Sequence, residues 1–322
     1  MSDSFGIANG PQLDVAALLD PELAEVAQLE VLQHLSGPML PALRQAMRGA
    51  QPPLSNPVVR SDHILDGVRP AAIRVHRPRD VSGPLACVVS MHGGGFVLGH
   101  YGMDDTLFDR WCPDLGIVGV SVDYGLAPEC PYPGPLEDCF AALEWTVEHA
   151  DELGVDRARI GLHGLSAGGG LAAAVALLAR ERGGPPLAFQ ILDCPMLDDR
   201  QVTFSSRLPG LHVWSRETNR FAWQAYLGSL YGADDLPATA APARAADLTT
   251  LPPAFLSVGA IDGFHDEVVD YAVRLNHAGV PTELHVYPGT PHGYQVVATS
   301  SVTRRAFTDK TEWLRRTTAV AG

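Results

Sequence analysis

The sequence predicts an α/β fold built on a mostly parallel sheet with helices on both of its faces. A continuous apolar run at Leu85–Met91 is typical of a central parallel strand, which is buried on both sides. From about Val58 onward, strand-like apolar runs alternate with longer segments rich in helix formers. This alternation favours parallel strands joined by crossover helices, and it places functional loops at the carboxyl ends of the strands.

The period of the apolar residues predicts the individual elements. The segment Ile73–Arg77 alternates apolar and polar side chains, which indicates a half-exposed edge strand. Further buried strands are predicted at 117–122, 189–192, 254–258 and 282–286. Helices are predicted between these strands, at 135–149, 166–180 and 266–277.

The first 53 residues differ from the rest because they are helical and punctuated by prolines. Apolar residues recur at helical spacing in 14–19, 21–35 and 42–47, and the proline-rich run 51–57 reads as a linker. We expect these helices either to pack on the outside of the core or to contribute to a lid.

The composition limits the class of protein and the kind of partner. The chain has 322 residues, of which 46% are hydrophobic, and a formal net charge of −14. Such a charge disfavours nucleic acid and anionic membranes, and no apolar run is long enough to span a bilayer. We expect one soluble cytoplasmic domain without an export signal. The five cysteines form no C-x-x-C pair, so they are expected to be reduced thiols, and neither a disulfide framework nor a zinc site is expected.

A Gly-x-Ser-x-Gly motif at Gly164–Gly168 is the centre of the predicted chemistry. The segment 155–160 before it reads as the approach to a buried strand, and the alanine-rich segment 171–180 after it reads as a helix. A sharp turn between strand and helix needs small residues two positions before and after the serine, and it leaves the hydroxyl exposed. Ser166 is therefore the candidate nucleophile.

A second glycine-rich loop, His92–Phe96, follows the predicted central strand. Three consecutive glycines leave backbone N–H groups free to point at an oxyanion, which an acyl-transferring serine enzyme requires. The candidate donors are the backbone N–H groups of Gly93, Gly94, Gly95 and Ala167, the residue after the nucleophile. His92 is expected to hold the loop rather than to act as a base.

A serine nucleophile needs a base, and the base needs a carboxylate that fixes its tautomer. His292 lies in a turn-rich loop after the last predicted strand, whereas His285 and His163 fall within or beside strands. Asp262 follows the strand that ends near 258; its rival Asp266 precedes a helix and is explained as its N-cap. The order Ser166, Asp262, His292 is that of α/β-hydrolases.

Several motifs together resemble the hormone-sensitive-lipase-like family of bacterial carboxylesterases over about residues 60–320. The motifs are His92-Gly-Gly-Gly-Phe96, Asp123-Tyr-Gly-Leu-Ala-Pro-Glu129, Gly164-Leu-Ser-Ala-Gly-Gly169, Leu251-Pro-Pro-Ala254, Gly259-Ala-Ile-Asp262 and His292-Gly-Tyr294. The resemblance implies an α/β-hydrolase fold with an eight-stranded sheet, the triad Ser166–His292–Asp262, a helical cap and no cofactor. It divides one catalytic domain into an N-terminal cap segment (1–53), core (54–198), cap insertion (199–232) and core (233–322).

The resemblance also implies where a substrate would bind and where this chain departs from its family. Aromatic residues of the insertion offer apolar surface, and the candidate substrate-binding residues are Phe96, Leu165, Trp214 and Trp223. Leu165 stands where the family usually has Asp, and Gly125 stands where it commonly has Arg. The run Gly263-Phe-His265 also differs from the usual sequence beside Asp262.

These expectations amount to a carboxylesterase that hydrolyses short- to medium-chain esters through an acyl-enzyme. An amidase or lactonase using the same triad and a noncatalytic small-molecule binder remain the alternatives. A homodimer formed through the last strand, at Thr282–Val286, is a further expectation drawn from the resemblance.

Overall fold

The computed structural model describes residues 14–29, 32, 34–49, 57–65 and 71–319. These residues contain one eight-stranded sheet in the order β1-β2-β4-β3-β5-β6-β7-β8, in which β2 is antiparallel to both of its neighbours and the other pairs are parallel. The strands are β1 Val58–Leu65, β2 Ala71–Pro78, β3 Leu85–Met91, β4 Val118–Asp123, β5 Val155–Leu165, β6 Gln190–Asp193, β7 Ala254–Gly259 and β8 Thr282–Tyr287. The predicted eight-stranded, mostly parallel sheet is confirmed.

Helices cover both faces of the sheet, as the sequence predicts. The α-helices are α1 Val15–Leu18, α2 Leu40–Gly49, α3 Asp105–Leu115, α4 Gly134–Glu148, α5 Ala150–Leu153, α6 Ala167–Arg182, α7 Arg216–Leu227, α8 His265–His277 and α9 Ser301–Thr318. On one face, α4, α6 and α8 pack against apolar side chains such as Val89 and Leu256. On the other face, α3 and α9 bury Trp111 and Trp313 against alternate strand residues such as Val88 and Phe255.

The structure corrects the prediction that 73–77 forms an edge strand. This segment lies in β2, which pairs with both β1 and β4, so β1 is the edge strand on this side and β8 is the edge on the other. The alternating pattern arises because β2 is close to the edge and is only partly covered on one face. The sequence analysis also missed the helices α3 and α9.

The N-terminal segment is less regular than the apolar spacing predicts. Pro21–Gln28 is a 3-10 helix, and α1 has only four residues. The linker predicted at 51–57 lies outside the described residues except for Pro57. Leu23 and Val26 pack against Tyr294 and Val213, so this segment lies over loops at the carboxyl edge of the sheet.

Candidate active site

Ser166 occupies the turn that joins β5 to α6. Its backbone has φ 57° and ψ −118°, a region that side chains other than glycine seldom adopt, so the turn is strained. A Cβ atom at Gly164 would overlap the backbone carbonyl of Gly168, so only glycine allows strand and helix to approach this closely. The Ser166 N–H donates to the carbonyl of Asp193 at 2.8 Å, which fixes the turn to the end of β6.

Ser166, His292 and Asp262 lie in one hydrogen-bonded line. The Ser166 hydroxyl is 2.9 Å from His292 Nε2, and His292 Nδ1 is 2.8 Å from Asp262 Oδ2. All three side chains are buried, with Asp262 only 1% exposed. Because they follow β5, β8 and β7, they converge at one edge of the sheet although 126 residues separate the serine from the histidine.

Electrostatics around His292 make its imidazole more basic than an isolated histidine. Burial alone would lower the pKa of His292, but the carboxylate of Asp262, assisted by Cys194, raises the pKa well above its ordinary value. The other oxygen of Asp262 accepts the Phe264 N–H at 2.9 Å, so the carboxylate is held on both sides. This arrangement keeps the proton on Nδ1 and leaves Nε2 free to accept the serine proton.

The rival candidates are engaged elsewhere. Asp266 accepts the Ser205 N–H at 2.8 Å and pairs with His265. His163 lies between Ser90 and Asp193 on β5, with Ser90 2.8 Å from its Nδ1 atom. His285 pairs with Glu283 on β8. Neither histidine approaches the serine as His292 does.

The loop His92–Phe96 lies beside the turn that holds Ser166. A Cβ atom at Gly93 would be 3.2 Å from the Leu165 carbonyl, which places this loop directly against the end of β5. His92 holds the loop: its Nδ1 is 2.8 Å from the Gly93 carbonyl, and its own carbonyl accepts the Tyr124 hydroxyl at 2.7 Å. Ala167 is the first residue of α6, so its N–H group has no acceptor within the helix.

Comparison with known proteins agrees with this geometry. A family model described as alpha/beta hydrolase fold matches residues 88–296. The chain belongs to this α/β-hydrolase family. Esterase LipI from Mycobacterium tuberculosis is 33% identical over 310 residues, which cover 88% of this chain and 91% of that protein. Carboxylesterase NlhH from the same species is 41% identical over 234 residues, covering 71% and 72%.

A solved structure gives the same result for the fold of this α/β-hydrolase. A bacterial heroin esterase superposes with a TM-score of 0.88 and 39% identity, and the match covers 94% of this chain and 99% of that one. The predicted fold and the predicted resemblance to bacterial esterases are therefore confirmed.

The four candidate substrate-binding residues of this α/β-hydrolase lie in two different environments. Leu165 is partly exposed next to Ser166, and Trp214 lies over the glycine loop with its ring 6.3 Å from that of His292. A Cβ atom at Gly95 would overlap the Trp214 ring, so glycine is required there. Phe96 and Trp223 are fully buried, and Phe96 stacks on Tyr226 at 4.0 Å.

Ligand pockets typically have volumes of about 300–1,000 Å³. A cavity of about 520 Å³ lies next to this site. It lies between α3, α9 and the loop 294–298, and Leu165 and Tyr294 form part of its wall. Its floor carries Asp193, whose carboxylate pairs with Lys310 and His163. Sequence reasoning missed this cluster, although one signal was present: Lys310 is the only lysine among 23 basic residues.

Cys194 is the other residue that sequence reasoning missed. All five cysteines are buried thiols. Cys194, however, lies directly after β6, where its thiol, Asp262 and His292 each place one potential ligand atom within 4.8 Å of the others. Only the three-dimensional structure brings this thiol to the imidazole of His292.

Proposed function

We propose that the protein hydrolyses short- to medium-chain carboxylic esters through a covalent acyl-enzyme formed on Ser166. The observation that carries this proposal is the continuous line of hydrogen bonds from Ser166 through His292 to Asp262. Relatives named as esterases share the fold over most of their length, which supports an ester hydrolase of the serine class.

The mechanism follows from the positions of the three side chains. His292 Nε2 takes the proton of the Ser166 hydroxyl while the serine oxygen attacks the ester carbonyl. Asp262 holds the imidazole in the correct tautomer and stabilises the imidazolium that forms. The imidazolium then protonates the departing alcohol. In the second half, His292 removes a proton from water, whose oxygen attacks the acyl-enzyme. The imidazolium then returns this proton to the Ser166 oxygen as the acid leaves.

We propose that the oxyanion of each tetrahedral intermediate is held by backbone N–H groups. The positions of Gly93 beside Leu165 and of Ala167 at the start of α6 support donors from both sides of the reacting carbonyl. Gly94 and Gly95 are further candidates on the same loop. One such donor contributes about 2.7–4 kcal/mol to lowering the barrier.

We propose that the N-terminal segment and the insertion 199–232 together form a cap over the site. Val15 packs against Leu208 and Leu211 of the insertion, and the Leu35 N–H donates to Thr218 on α7 at 3.3 Å. Trp214 of the insertion has its ring 6.3 Å from that of His292, so a cap built on these contacts would lie beside the triad. Among the described residues, none of the helices has the length and apolarity to cross a membrane. A small-molecule substrate, free thiols and net charge −14 support a cytoplasmic enzyme without nucleic-acid or membrane partners.

The test is a panel of p-nitrophenyl esters of increasing acyl length, run beside anilides and lactones. We expect highest kcat/KM on short and medium esters. Ser166→Ala should fold normally and lose about 10⁶-fold in kcat, whereas Ser61→Ala, on the exposed strand β1, should keep its activity. Preference for anilides or lactones would indicate an amidase or lactonase, and no turnover at all would indicate a binder.

An organophosphate provides a second readout of the nucleophile. It should form a covalent adduct that mass spectrometry maps to Ser166. An adduct on another residue would contradict the assignment even if the protein hydrolysed esters.

A further inference from the structure

Cys194 places a buried thiol beside the imidazole of His292 and the carboxylate of Asp262. Cys194 is fully buried, and its backbone has φ 37°, in the left-handed region. The Cys194 N–H donates to the Ser257 carbonyl at 2.6 Å, which fixes the residue at the end of β6. The thiol takes no part in the acyl-transfer steps derived above.

We propose that Cys194, Asp262 and His292 form an inhibitory binding site for a thiophilic divalent cation such as Zn²⁺ or Cd²⁺. The proposal rests on the proposed function, because it describes how the same triad would be switched off. One atom from each residue lies within 4.8 Å of the other two. Tetrahedral zinc with sulfur, nitrogen and oxygen ligands places such atoms about 3.3–3.6 Å apart, so shifts on the order of 1 Å close the site.

The charges of the three groups suit a buried divalent cation. Binding converts the Cys194 thiol to a thiolate and releases one proton, so the thiolate and the Asp262 carboxylate together neutralise the two positive charges. A neutral cluster is the form that burial favours. Sulfur also selects for soft cations over Mg²⁺ and Ca²⁺, which prefer oxygen ligands.

A polar side chain beside the thiol can support a fourth ligand on the cation by hydrogen bonding. Gln295 Nε2 donates to the Cys194 sulfur at 3.6 Å. The Oε1 atom of Gln295 is buried without a hydrogen-bond partner among the described residues. It can therefore accept a hydrogen bond from a water molecule on the cation, as catalytic-type zinc sites keep water in their fourth position.

Metal binding would stop catalysis by changing the tautomer of His292. The nitrogen next to the carboxylate is Nδ1, 2.8 Å from Asp262 Oδ2. When Nδ1 binds the cation, the single proton of the neutral imidazole moves to Nε2, which can then no longer accept the Ser166 proton. A cation held by Nε2 would occupy the basic site directly, so either nitrogen gives the same loss of activity.

The first experiment measures binding without any need for activity. Cd²⁺ is titrated into purified Ser166→Ala protein, and the ultraviolet charge-transfer band of a cadmium–thiolate bond is recorded. We expect a band with one-to-one stoichiometry that disappears in Ser166→Ala/Cys194→Ser and persists in Ser166→Ala/Cys130→Ser. Cys130 is the matched control because it is the least buried of the five cysteines, at 7% exposure.

The second experiment measures inhibition in the protein with an intact Ser166. We expect Cd²⁺ and Zn²⁺ to inhibit ester hydrolysis and Cys194→Ser to raise the inhibitory concentration at least about tenfold, while Cys130→Ser leaves it unchanged. Should Cys194→Ser misfold, Cys194→Ala is used in its place. A band that survives the loss of Cys194, a band that depends on Cys130, or the absence of any band overturns the proposal. A failure of the esterase assay alone would instead count against the proposed function, because the spectroscopic result does not depend on it.

Discussion

Replacing Asp262 by asparagine tests whether the carboxylate sets the tautomer of His292. Asp262 Oδ1 accepts the Phe264 N–H at 2.9 Å, and Oδ2 faces His292 Nδ1 at 2.8 Å. In the asparagine variant the Phe264 N–H still needs an acceptor, so the amide oxygen takes that place and the NH₂ group turns toward His292. The NH₂ group donates to Nδ1, which forces the imidazole proton onto Nε2.

The expected loss follows from this inverted tautomer. A histidine protonated on Nε2 cannot accept the proton of Ser166, and the same substitution in a serine protease lowers kcat about 10⁴-fold. That factor corresponds to about 5.4 kcal/mol of transition-state stabilisation. The assay is kcat for p-nitrophenyl butyrate, with circular dichroism to verify folding. Asp266→Asn is the matched control, because Asp266 binds Ser205 and His265 instead, and it should retain activity within a few-fold.

The dependence of kcat/KM on pH distinguishes an electrostatic role of Asp262 from a purely structural one, because a structural role would not move the profile. Only neutral His292 can act as the base, so kcat/KM rises as pH rises through the pKa of His292. Because Asp262 raises this pKa, the acidic limb of the wild type should lie above the ordinary histidine value. In Asp262→Asn the limb should move to lower pH. More than a tenth of wild-type kcat in Asp262→Asn, or an unmoved acidic limb, would refute the reasoning.

Three further predictions concern the scaffold. Gly164→Ala forces a Cβ into the carbonyl of Gly168 and should destabilise the fold by about 3 kcal/mol, measured by urea denaturation; an unchanged midpoint would contradict the close approach. Burial would raise the pKa of Asp193, but Lys310 and His163 lower it below its ordinary value, so its contribution to stability is present above about pH 4 and is lost as pH falls. Lys310→Met should therefore cost about 3–5 kcal/mol at neutral pH, and a loss below 1 kcal/mol would show that the Asp193 charge is compensated without Lys310. The edge strand β8 should mediate a homodimer, and a monomeric mass in light scattering at micromolar concentration would exclude it.

Sequence patterns predicted the parts of the structure in which one short segment determines its own conformation. The run Leu85–Met91, which is apolar except for Ser90, matches β3 at both ends because both faces of this strand are buried. The turn at Ser166 was predicted for the same reason, since it requires glycines at fixed positions. The carboxyl ends of parallel strands lie at one edge, so Asp262 and His292 could be placed there from strand order alone.

The features that the sequence could not predict mostly depend on side chains that are distant in the chain and meet only in the folded structure. Asp193 and Lys310 are 117 residues apart, and no periodic pattern indicates that α9 places an ammonium group over the end of β6. The rotation of Cys194 toward His292 depends on a left-handed backbone at a position that is not glycine. The 3-10 conformation of Pro21–Gln28 was missed because apolar spacing hardly distinguishes it from an α-helix over eight residues.

The buried charge at Asp193 connects these missed contacts to the predicted site. Its backbone carbonyl accepts the Ser166 N–H at 2.8 Å, and its side chain accepts the Ser257 hydroxyl at 2.8 Å as well as the ammonium of Lys310. One residue thus joins the ends of β5, β6 and β7 to α9. Since the strained turn at Ser166 persists only where its surroundings determine it, this network is the structural reason why Ser166 can keep its unfavourable backbone conformation.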